Sequence, residues 1–117
     1  MRKLLFTLYC LSVACFIVSA QEPCPSVIPA LQQWKGGNGK LFLPAEGRIV
    51  VNPDNEVQLL STARILVDDL KELMDWNYTI KIGKPRKNDI YLSLINTDKE
   101  LGDEGYVLVT NHYASIK

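Results

Sequence analysis

Three different spacings of apolar residues follow one another along this chain, and each predicts a different kind of element. Arg2 and Lys3 precede an apolar run from Leu4 to Val18 that closes on the small residues of Val18-Ser19-Ala20. A basic start, an apolar middle and a small-residue end are the pattern of a secretory signal peptide, so residues 1–20 are expected to be cleaved. The run is shorter than the roughly 20 residues a spanning helix needs, and no basic stop-transfer cluster follows it, so a stable membrane span is not expected. Two alternatives stay open: retention of the signal in the membrane, and lipid attachment at Cys15, because Leu11-Ser12-Val13-Ala14-Cys15 resembles a lipoprotein box.

The second spacing is helical. Leu59, Leu60, Ala63, Leu66, Val67, Leu70, Leu73 and Met74 recur at intervals of three and four, with Arg64, Asp68, Asp69, Lys71, Glu72 and Asp75 mostly between them. Asn52-Pro53-Asp54-Asn55-Glu56 supplies cap candidates, a first-turn proline and early negative charge, so the helix is expected to begin near Asp54. Its apolar stripe reads as the side that lies on a sheet.

The third spacing is that of strands. Arg48-Ile49-Val50-Val51 is β-branched between Gly47 and Pro53; Tyr78-Thr79-Ile80-Lys81-Ile82 alternates; Ile90 to Ile95 is a six-residue β run; Gly105 to Thr110 is a further strand. Residues 83–89 have turn chemistry, and Asn111-His112-Tyr113 is a tight connection to a return strand at Ala114-Ser115-Ile116-Lys117, which reads as a half-built edge. Lys35-Gly36-Gly37-Asn38-Gly39 lies between Trp34 and Leu41-Phe42-Leu43 and predicts a hairpin turn between two short strands. A phosphate-cradling loop is rejected there, because no Lys-Ser or Lys-Thr pair and no helix pattern follows Gly39. The fold class expected is α+β: a small mixed or antiparallel sheet covered on one face by a long amphipathic helix, preceded by a signal peptide. Residues 21–26 read as an extended leader and 27–117 as one domain.

Composition narrows the function classes. Of 117 residues 47% are hydrophobic and 22% charged, as in an ordinary globular protein. Thirteen basic residues balance thirteen acidic ones, and loss of Arg2 and Lys3 on cleavage leaves eleven, so no field steers a phosphate backbone and nucleic acid is not an expected partner. Cleavage also removes Cys10 and Cys15, which leaves Cys24 alone, without a partner for an internal disulfide. Cys24 reads as a leader residue, with pairing between chains or lipidation as the other options.

Candidate chemistry is sparse. The single histidine, His112, falls at a predicted hairpin tip where no nucleophile converges on it. One histidine, one mature cysteine and scattered carboxylates give no metal spacing. The adjacent acids Asp68-Asp69 and Asp103-Glu104 are the pairs to test against two-carboxylate glycoside hydrolysis, but the first sits on the polar side of a helix and the second precedes a strand across a glycine loop. Lys81, Lys84, Arg86 and Lys87 read as a solvated basic loop rather than an anion site. Asn77-Tyr78-Thr79 matches the N-glycosylation acceptor pattern, a short motif to which no role is assigned. No catalytic, cofactor-binding or metal-ligating residue is assigned.

Three stretches, taken with the order of elements, carry a family resemblance: Val27-Ile28-Pro29-Ala30, Arg48-Ile49-Val50-Val51, and Gly102-Asp103-Glu104-Gly105-Tyr106-Val107-Leu108 with Ile116 after the turn. The chain resembles the non-catalytic N-terminal domain of bacterial β-N-acetylhexosaminidases, glycoside hydrolase family 20, across essentially its whole mature length. The resemblance implies a sheet with helix cover beside a catalytic (β/α)8 barrel. It also implies that the catalytic aspartate-glutamate pair belongs to that barrel, so no catalytic residue carries over to this chain. The parent enzyme would remove terminal N-acetylglucosamine or N-acetylgalactosamine from glycans by substrate assistance, the sugar's own acetamido oxygen attacking the anomeric carbon. That chemistry needs no cofactor. On this reading the chain is a truncated, exported accessory domain, inactive alone, whose partner is the barrel of the same parent chain. The other reading is a free-standing exported module that binds glycans or serves as a structural partner, for which Trp34, Trp76, Tyr78 and Tyr91 are the candidate stacking residues.

Overall fold

The structure, a computed structural model, describes residues 22–27, 30–95 and 105–117. The expected signal peptide at 1–20 lies outside the described residues. The chain divides into two compact units, Met1–Gly39 and Lys40–Lys117. In the first, the described residues form no helix or strand, and the Trp34 indole N–H donates to the Glu22 carbonyl at 3.2 Å.

The second unit holds the fold. Strand β1 (Glu46–Val51) leads through a 3-10 turn (Pro53–Asn55) into helix α1 (Glu56–Met74); β2 (Asn77–Ile82), β3 (Ile90–Leu92), β4 (Leu108–Thr110) and β5 (Ala114–Ile116) follow. The sheet order is β2-β1-β3-β5-β4. The first four of these strands are mutually parallel, and β4 alone runs antiparallel, against β5. A mixed sheet under one long helix is therefore the architecture, consistent with an α+β class.

Local chemistry explains α1. The Asn52 side chain accepts the Asp54 N–H at 3.1 Å, Pro53 occupies the first turn, and Glu56 places negative charge at the positive end of the helix. Asp75 ends the helix in the left-handed conformation at φ 56°, its N–H donating to Lys71 O at 3.1 Å. The helix buries Ala63 completely and packs Leu59, Leu66, Val67 and Leu70 against Ile49, Val51, Tyr78, Ile90 and Leu92 of the sheet. Burial of an Ile or Val of this kind stabilises by roughly 1.5–3 kcal/mol each. Alternation sends Val50 to the opposite face, where the register sets it in a row with Lys81, Tyr91, Ser115 and Val109. No helix among the described residues covers that face, yet Val50 is only 1% exposed.

The structure departs from the sequence expectations at several places, among them the strand expected over 105–110, which forms only over Leu108–Thr110, and the end of the helical stripe, where Leu73 and Met74 are exposed. Trp34 and Leu41-Phe42-Leu43 form no hairpin: Gly39 turns the chain at φ 114°, but Leu43 packs on the core, Phe42 is exposed, and Pro44, with no N–H for a ladder, follows directly. The run at 90–95 pairs only as far as Leu92, because the Leu94 N–H is taken at 3.0 Å by the Asn55 side chain and Leu94 and Ile95 turn outward. The return strand at 114–116 is no edge, since β3 and β4 flank it on its two sides. The edges are β2 and β4.

Candidate functional site

The tightest polar cluster joins β1 to the loop before β3. Arg48 stands on β1 beside Asp89, the residue that precedes β3, and Asp89 is 4% exposed. The Arg48 Nε–H donates to Asp89 Oδ1 at 3.0 Å and its Nη2 pairs with Oδ2 in a fork-on-fork contact. The Arg86 backbone N–H adds a third bond to Oδ2 at 2.7 Å. The main chain of the same segment is tied to the hairpin: Ala114 N–H donates to Asp89 O at 3.0 Å and Asn88 N–H to His112 O at 2.7 Å. Asp89 thus fixes the loop on which β3 begins with its carboxylate and the start of β5 with its backbone carbonyl.

Tyr78 lies at the same end of β1 but on its other flank, on β2, opposite Gly47. Its hydroxyl donates to the Pro44 carbonyl at 2.8 Å, and its ring stacks near Trp76 with centroids 6.1 Å apart. The ring crosses β1 at Gly47, where a Cβ would stand 2.6 Å from Cε1 and Cζ, so only glycine leaves the ring its place. Burial, and after it the negative charge of Asp89, push the Tyr78 phenol above its ordinary pKa. Tyr91, raised chiefly by burial as well, meets Tyr113 edge-on at 6.0 Å and 79° on the helix-distal face. The Ser115 hydroxyl, next to Tyr91 in the register, is buried with no hydrogen-bond partner.

Among the described residues, those singled out in the sequence form no common cluster. Asp68 and Asp69 are exposed on α1; His112 is exposed in the β4–β5 turn; Lys81, Lys84, Arg86 and Lys87 are all exposed. Asp103 and Glu104 lie outside the described residues. Asn77 and Thr79 are both exposed on β2, and Cys24 is a free, exposed thiol. Among the described residues no group of three or more His, Cys, Asp or Glu could hold a metal ion, and no helix is long and apolar enough to cross a membrane. Trp76 and Tyr78 serve the core, and Tyr91 is half-buried.

A second feature is apolar. Helix α1 rests on β1 and β2, and beyond it the same face of the sheet carries Leu108 opposite half-buried Ile116. Leu94, Tyr106 and Leu108 are respectively 44%, 53% and 56% exposed, and no charged residue lies between Gly105 and His112.

What the geometry offers, then, is packing: a clamped βαβ unit with an uncovered apolar end. Residues 24–117 match the family described as glycosyl hydrolase family 20, domain 2. The chain belongs to glycosyl hydrolase family 20. The matched part is the family's non-catalytic N-terminal domain, an accessory domain of hexosaminidases. No curated protein matches the chain. The Arg48–Asp89 clamp is the feature that sequence reasoning missed. Asp89 reads there as one more turn residue, and the only available signal was a lone arginine inside the β-branched run of β1.

Proposed function

We propose that this chain is the accessory N-terminal domain of an exported bacterial β-N-acetylhexosaminidase whose (β/α)8 barrel hydrolyses terminal N-acetylglucosamine or N-acetylgalactosamine, and that the domain packs beside that barrel without touching substrate. The observation that carries the reading is the family match through residues 24–117. The exposed apolar residues Leu94, Tyr106 and Leu108 are the surface we assign to burial in the parent enzyme. Against a free-standing glycan-binding module stands the edge-on meeting of Tyr91 and Tyr113, which makes no flat two-ring platform. Export rests on Arg2, Lys3, the apolar run and Val18-Ser19-Ala20.

Two experiments test this. The genomic locus read in frame beyond Lys117 yields, on this reading, a barrel of about 200–250 residues with an aspartate-glutamate pair; a stop codon with no such barrel nearby overturns it. The purified chain alone turns over no chromogenic N-acetylglucosaminide, and measurable hydrolysis by it would equally overturn the assignment. The mass of the exported product separates cleavage after Ala20 from lipid attachment at Cys15.

A further inference from the structure

We draw no further inference here: the strongest candidate, the apolar surface at exposed Leu108 opposite half-buried Ile116 on the helix side of the sheet, belongs to the surface already assigned to burial in the parent enzyme, and nothing in the structure shows what covers it.

Discussion

Removing the Arg48 charge tests whether the clamp at Asp89 holds the domain together. In Arg48→Met the Asp89 carboxylate, whose side chain is 6% exposed, loses both guanidinium bonds and keeps only the Arg86 N–H. Breaking a buried pair from one side costs about 3–5 kcal/mol, because the remaining charge is neither solvated nor matched. The Arg48 side chain is itself 28% exposed, so part of the pair already shares its field with water and the low end, about 3 kcal/mol, is the value expected. Asp89→Ala leaves the opposite orphan, a guanidinium able to reach solvent, and should cost less, about 2 kcal/mol. Replacing both, as Arg48→Met with Asp89→Leu, should return stability to within about 1 kcal/mol of the starting protein, since no buried charge is left unmatched. A domain of this size has on the order of 5–10 kcal/mol to lose, so the single change moves the urea midpoint by about 2 M at a slope of about 1–2 kcal/mol/M. Urea titrations followed by far-UV circular dichroism, with the slope held common, measure all four corners of the cycle. A loss under 1 kcal/mol for Arg48→Met, or a double variant no better than the worse single one, would refute the argument that the pair is buried and coupled.

Three further changes probe the rest of the fold. Gly47→Ala drives a methyl into the Tyr78 ring and should cost about 1–3 kcal/mol, with the cost shrinking in a Tyr78→Ala background where the ring is gone; thermal melts of the four proteins decide it, and additive losses would refute it. The folded-state pKa values of Tyr78 and Tyr91 lie above the ordinary 10.0, so the folded protein holds those protons more tightly than the unfolded chain does. Their contribution is therefore whole below pH 10.0 and is lost as pH climbs through the folded values; urea midpoints should fall across that alkaline range, less steeply in Tyr78→Phe. Asp75→Gly relieves the left-handed φ of 56° at the helix end and gives up only an exposed contact to Lys71, so the melting temperature should rise; a fall would show that the contact outweighs the backbone.

Which parts of this molecule can be read from its sequence follows from the range over which each is decided. Helix α1 and strands β1 and β2 are written locally: the three-and-four spacing from Leu59 to Met74, the β-branched Ile49-Val50-Val51, the alternation through Tyr78, Ile80 and Ile82. The end of β3 is not, because it depends on Asn55, a cap candidate 39 residues upstream that spends its side chain on Leu94 instead of on its own helix. Strand order is still less local. A return strand after a tight turn reads as an edge until the parallel pairing of Ile90 with Ala114 is known, and that pairing makes β5 an interior strand. The clamp lies at the same distance from view, since Arg48 and Asp89 are separated by 41 positions and each alone fits an ordinary strand or turn. The family resemblance survives these misreadings because it rests on short sequence words and the order of elements rather than on the pairing between strands. Those words identify the domain, and membership of the family implies a catalytic domain elsewhere in the parent chain, so the step from this domain to sugar hydrolysis is not read from its own sheet and helix.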